Sequence, residues 1–136
     1  MKTVLFACVH NAGRSQMAAA LFNELADPQK ARAISAGTQP AAHVHPEVVE
    51  VIRELGVDLQ SVVPTKLTDD LAAEANILVT MGCGDACPVV PGVERDDWPL
   101  EDPKGQPVWR VRQIRDEVEQ RVRKLLGARG WLRATG

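Results

Sequence analysis

No run of apolar residues in this chain approaches the ~20 that a membrane-spanning helix needs, so membrane insertion is excluded as an expectation. Neither sign of charge dominates: 16 Lys and Arg against 18 Asp and Glu leave a net charge of −2, with the two signs interspersed. Without a basic stripe, nucleic acid is not an expected partner. Cysteine is scarce. The three present are an odd number, spaced unlike a secreted disulfide framework, so reduced thiols in a cytoplasmic protein are expected. Internal repeats and low-complexity tracts are also missing. The opening "MKTVLFACVHNAG" has a lysine and a few apolar residues, as a secretion signal would. Its apolar run breaks at His10 and Asn11 and no small-residue cleavage site follows, so it reads as a strand. What remains is ordinary globular composition, 45% apolar and 25% charged over 136 residues, enough for one domain spanning 1–136.

The chain alternates between two periodicities. "TVLFACV" (3–9), "ARAISAGT" (31–38), "NILVTMG" (76–82) and "GVERDDW" (92–98) read as strands. Met17, Leu21 and Leu25 recur at fourfold spacing, which predicts a helix over 15–25 with one buried face. "HPEVVEVIRELG" predicts a second helix, opened by Pro46 and ended by Gly56. "LTDDLAAEA" predicts a short third one, capped by Thr68. Apolar residues from Val108 to Leu125 step by three and four, which predicts a long fourth helix over 107–126. Strands alternating with helices imply an α/β domain, a four-stranded parallel sheet with helices on both faces. Five of the nine prolines fall between Pro88 and Pro107, marking a loop-rich segment with Cys83 and Cys87 before it and acidic residues near its end.

The first strand-to-helix turn, "CVHNAGRS", is where chemistry is expected. Ligands of parallel sheets bind at the carboxyl ends of strands, where a turn aims backbone N–H groups at them. The amides of Val9, His10, Asn11, Ala12, Gly13, Arg14 and Ser15 can curl around an anion, and Gly13 permits a close turn. Arg14 offers a planar fork for two oxygens of a tetrahedral oxyanion. A thiol at a helix N-terminus beside an arginine is in the setting where cysteines ionise most readily. Ser15 can donate to the Cys8 sulfur, and Asn11 can brace the loop. The alternative is a buried structural cysteine and a surface arginine.

"CVHNAGRS" resembles the phosphate-binding loop of the low-molecular-weight protein tyrosine phosphatases and of the arsenate reductases built on the same fold. "QMAAALF", "SAGT" (35–38) and "EDP" (101–103) extend the resemblance over nearly the whole chain. It implies a nucleophilic Cys8, an oxyanion clamp at Arg14, and a general acid at Asp102. A thiolate displacing an oxygen from phosphorus or arsenic needs a proton for the leaving oxygen, and Pro103 stiffens the position from which Asp102 would supply it. If Asp102 points in, Glu101 points elsewhere.

Cys83 and Cys87 separate the two activities. A phosphatase needs only the first thiol, whereas a reductase must dispose of two oxidising equivalents. The resemblance implies a relay in which a Cys8–Cys83 disulfide forms first and a Cys83–Cys87 disulfide follows, regenerated by thioredoxin, or by mycothiol or glutathione with a redoxin. Gly82 and Gly84 flank Cys83 and favour such movement. A Cys-x3-Cys metal site would need further ligands, and only three histidines exist, so no metal and no bound cofactor is expected. Inert buried thiols are the remaining alternative. Only three residues separate the pair, where many such reductases have six.

Arsenate or phosphate is thus the expected ligand and arsenate reduction the expected activity, with hydrolysis of small or aryl phosphates as the alternative. The chain has no tyrosine, and Lys104 and Gly105 follow Asp-Pro where phosphatases of this fold usually carry aromatics. That favours a small inorganic anion. Trp98 and Trp109, which flank the acid segment, are expected to pack. His10 lies within the anion loop, and His43 and His45 have no expected role. Ala19 stands where some relatives have an acidic residue that helps hold potassium.

Overall fold

The computed structural model describes residues 1–82 and 90–134. Four strands and four helices alternate: β1 (Lys2–Cys8), α1 (Arg14–Leu25), β2 (Ala31–Gly37), α2 (Pro46–Arg53), α3 (Asp69–Ala73), β3 (Ile77–Thr80), β4 (Glu94–Asp97) and α4 (Val108–Arg129). The sheet is parallel throughout, in the order β2-β1-β3-β4. The chain leaves β1 for β2 on one side and crosses to β3 on the other. That reversal opens a crevice at the carboxyl end of β1, where Cys8 stands opposite Gly37 in register.

Alternate side chains of β1 enter two different cores. Val4, Phe6 and Cys8 face α1, α2 and α4, with Met17, Phe22, Val48, Ile52, Ile114 and Val118 among their buried neighbours. Leu5 and Ala7 face a thinner layer with Leu67, Ala72, Ala75 and Leu78, covered by α3 and the segment before it. Both faces are therefore covered, as the pattern predicted, but three helices lie on one and a single short helix on the other. Burial on both faces is why β1 and β3 read as unbroken apolar runs.

The helix boundaries follow from local chemistry. Pro46 opens α2 with Glu47 in its first turn and Arg53 in its last, both signs matching the helix dipole. Thr68 caps α3, its hydroxyl accepting from the Leu71 N–H at 3.1 Å. The helix α4 runs three residues beyond its predicted end and stops at Gly130, which is left-handed with φ 71°. The edge strand β4 is exposed at all four positions and reads Glu-Arg-Asp-Asp, charges that discourage pairing with another sheet. Among the described residues, no helix is long and apolar enough to cross a membrane.

Candidate active site

The loop after β1 turns every carbonyl outward. Cys8 O accepts from Thr38 N at 3.2 Å, Val9 O from Gln39 N at 2.8 Å, and His10 O from Ala41 N at 2.9 Å. Asn11 O accepts from Gln16 Nε2 at 3.0 Å, Ala12 O from His45 N at 2.9 Å, and Gly13 O from Met17 N at 3.0 Å. Peptide planes whose oxygens are tied outside direct their N–H groups into the loop. The first turn of α1 completes the cradle: its N-cap is Gly13, no side chain caps it, and it holds no acidic residue. Such a cup of amides fits a tetrahedral anion.

Gly37 makes this packing possible. A methyl group there would lie 2.6 Å from Val9 O and 2.8 Å from Asn11 N, both backbone atoms. The sequence pattern held Gly37 only as the end of a strand; the approach of the anion loop is what requires it.

Beneath the cradle lies a buried polar chain. Ser15 Oγ is 2.8 Å from Cys8 Sγ and also accepts from Asn11 Nδ2 at 2.8 Å, which leaves the hydroxyl proton for the sulfur. Asn11 is oriented in turn because its Oδ1 accepts from Thr65 N at 2.8 Å and Gln16 Nε2 at 3.0 Å. Asn11, Ser15 and Gln16 are almost wholly buried, and Cys8 is 2% exposed. Asn11 also takes a left-handed φ of 50°, a conformation asparagine tolerates better than most side chains. Asn11 and Ser15 thus stand in one chain of contacts that ends at the Cys8 sulfur. Gln16 and Thr65 complete the chain, and the sequence carried no local sign of either.

Arg14 closes one side. Its Nη1 donates to Leu100 O at 3.2 Å, and its Nη2 lies 3.8 Å from Asp102 Oδ2. The arginine is largely buried and Asp102 half-exposed, so Asp102 faces the cradle from a loop open to water. Asp102 Oδ1 accepts from Lys104 N at 3.0 Å, which fixes the turn. Glu101 points away, paired with Arg110. Pro103 is buried against Gly13, where a methyl group would come within 2.7 Å of Pro103 Cγ.

Gly82, at φ 93°, lies directly against the Arg14 guanidinium, and a side chain there would collide with it. Cys83 and Cys87 lie outside the described residues. Among the described residues, Cys8 is a free thiol and no cluster of His, Cys, Asp or Glu could hold a metal.

The two tryptophans divide. Trp98 is buried against Phe6, ring centroids 5.4 Å apart, and its Nε1 donates to Asp96 Oδ2 at 3.1 Å. Trp109 does not pack as expected: it is 61% exposed in the first turn of α4, because the buried stripe of that helix runs through Val111, Ile114 and Val118 instead. A wider groove of about 500 Å³ beside α2, lined in part by Val49, Arg53 and Leu59, shares no residue with the anion loop.

His45 is half-buried beside the cradle. Burial lowers its imidazole below the ordinary 6.5; Glu47 and Asp102 act against that shift, while Lys104 and His10 reinforce it.

Comparison with known proteins agrees with this geometry. The chain is 42% identical over 121 residues to a putative arsenate reductase of Halobacterium salinarum, covering 86% of this chain and 85% of that one. The thioredoxin-dependent arsenate reductase of Corynebacterium glutamicum superposes with a TM-score of 0.82 at 41% identity; 94% of this chain is covered, but only 61% of that longer one. An arsenate reductase solved in its phosphate-binding state superposes with a TM-score of 0.81 at 30% identity, over 94% of this chain and 98% of the other. A model of the low molecular weight phosphotyrosine protein phosphatase family matches residues 3–133, and the chain belongs to that family.

Proposed function

We propose that this protein reduces arsenate to arsenite in the cytoplasm, with electrons drawn from an external dithiol. The amide cup and Arg14 bind the oxyanion. Cys8 attacks arsenic as a thiolate, the As–O bond opposite breaks, and Asp102 protonates the departing hydroxide to water. Cys83 then attacks the Cys8 sulfur. The S–As electron pair stays with arsenic, which leaves as arsenite, reduced by two electrons, and a Cys8–Cys83 disulfide remains. Cys87 attacks Cys83, frees Cys8 and forms a Cys83–Cys87 disulfide. A thioredoxin-like dithiol reduces that disulfide by exchange; mycothiol or glutathione with a redoxin is the second choice.

The observation that carries this reading is the contact of Gly82 with Arg14. The chain enters the segment holding both further thiols at the anion cradle itself, beside the nucleophile that the relay must reach. The resemblance to arsenate reductases by sequence and by fold supports it. The second reading, a phosphatase of small or aryl phosphates, has its own support, since the cradle fits any tetrahedral oxyanion and the family match is to phosphatases.

The test is arsenate-dependent NADPH oxidation with thioredoxin and thioredoxin reductase, alongside hydrolysis of p-nitrophenyl phosphate. Sustained turnover that requires arsenate is expected. Cys83→Ser should stop it after at most one event per molecule while sparing any aryl-phosphate hydrolysis. No arsenate turnover with any of the three reductants, beside brisk hydrolysis, would establish the phosphatase instead.

A further inference from the structure

The start of α2 touches both loops of the site. His45, its N-cap, donates its backbone N–H to Ala12 O at 2.9 Å, which seats it on the anion loop. Its ring lies over Gly13: a methyl group there would be 3.5 Å from His45 Cδ2 and 3.3 Å from Pro103 Cδ. The imidazole and the proline ring thus close over one α-carbon from two different segments. Two residues on, Glu47 Oε1 accepts from Gly105 N at 3.4 Å. Charged groups of the acid loop, Asp102 and Lys104, act on the His45 ring, as do His10 of the anion loop and Glu47 of its own helix.

The acid loop is also tied by Arg14 to Leu100 O, by the Glu101–Arg110 pair and by the Asp102–Lys104 turn, but its far end is less held. Lys104 and Gly105 are exposed, and Asp102 reaches Arg14 only at 3.8 Å. Taken from sequence, His45 is a residue before a helix with no expected role. In the structure its ring and Pro103 of the acid loop both lie against Gly13 of the anion loop.

We propose that His45 is a positioning residue, its imidazole packed with Pro103 over Gly13 so that the acid loop stands where Asp102 faces Arg14. This rests on the reading of Asp102 as the proton donor. Proton transfer by a placed acid contributes ~10²–10⁴-fold, and a displacement of about 1 Å can forfeit ~10²-fold of such an effect. Loss of the imidazole, with the loop still tethered by Glu47 and Arg14, should therefore cost turnover about 10-fold.

A double-mutant cycle tests it, with His45→Ala, His45→Asn, Asp102→Asn and the paired variants of the whole chain. The readouts are kcat for arsenate-dependent NADPH oxidation, kcat for p-nitrophenyl phosphate, the inhibition constant of inorganic phosphate, and the rate of Cys8 alkylation. His45→Asn keeps a good N-cap residue and serves if the alanine variant fails to fold. The expected result is a kcat about 10-fold lower in the parent background, no further loss when Asp102 is already Asn, and unchanged phosphate inhibition and alkylation. An equal loss in both backgrounds, a loss in neither, or slowed alkylation would overturn the proposal. Full activity of Asp102→Asn alone would instead bring down the assignment of the acid, and the role of His45 with it.

Discussion

The two loops that meet at Gly13 are built on opposite plans. The anion loop has six consecutive carbonyls tied outward, a buried Asn-Ser-Gln network and a cysteine 2% exposed. The acid loop carries Asp102 half-exposed, reaches Arg14 at 3.8 Å and meets Glu47 at 3.4 Å. The difference fits the two tasks proposed for them. Binding an oxyanion and presenting a nucleophile require dipoles fixed before the ligand arrives, since reorganising them would forfeit the electrostatic advantage. An acid that must protonate a departing oxygen needs access to water for its own reprotonation, and a loosely held loop leaves room for that exchange.

The largest effect should come from the rigid side. Cys8→Ser should lower arsenate reduction and aryl-phosphate hydrolysis together by at least ~10⁴-fold, as loss of a nucleophile does elsewhere. Inorganic phosphate should still bind, because the amides are untouched. Equilibrium dialysis with phosphate and steady-state rates would check both halves, and surviving turnover would remove Cys8 as nucleophile.

Two glycines then separate the loops. Gly37→Ala sets a methyl against Val9 O and Asn11 N, backbone atoms that cannot swing aside. It should cost about 2 kcal/mol of stability, typical of an overpacked site, and slow both Cys8 alkylation and turnover. Gly13→Ala sets its methyl 2.7 Å from Pro103 Cγ and should lift the acid loop. Turnover should fall about 10-fold, while alkylation stays within about 2-fold. If both variants slowed alkylation alike, the two loops would be one mechanical unit and the contrast would fail.

The same contrast explains what the sequence disclosed. Cys8 to Ser15 is contiguous, lies between an apolar strand and a helix with fourfold spacing, and carries its chemistry in its residue types, so the anion cradle was legible. β1 and β3 were legible as apolar runs and the longer helices as amphipathic repeats, whereas β4, Glu-Arg-Asp-Asp, carries no such pattern. The supports were not. Asn11 meets Thr65, 54 positions away, and Arg14 meets Leu100, 86 away, and no local pattern encodes such pairs. His45 meets Gly13 and the acid loop in space only. Trp109 misled for the converse reason: a large apolar residue reads as core, but its place on α4 is off the buried stripe.

The smallest expected effect lies in the frame between α2 and α4. Glu54, which follows α2, accepts from Arg112 Nε and Nη2 at 3.0 and 2.8 Å and from Arg115 Nη1 at 2.7 Å. Arg115 also donates to Val51 O at 2.8 Å, so the C-terminal end of α2 is pinned to α4. The hydrogen bonds from Arg112 first and Arg115 second hold the Glu54 carboxyl at about 2, below its ordinary 4.5. A carboxyl lowered on folding adds stability that is complete above 4.5 and disappears as pH falls toward 2. Solvent around the pair keeps the contribution small. Glu54→Gln should therefore melt slightly below the parent at pH 7, with the gap closing between pH 4.5 and about 2. Thermal melts across that range would show it. At pH 7 the variant should alkylate Cys8 at the parent rate, because the anion loop draws on none of these contacts. A gap that stayed open at pH 2 would mean that Glu54 acts by packing rather than by its charge, and the two helices would then be held by their apolar core alone.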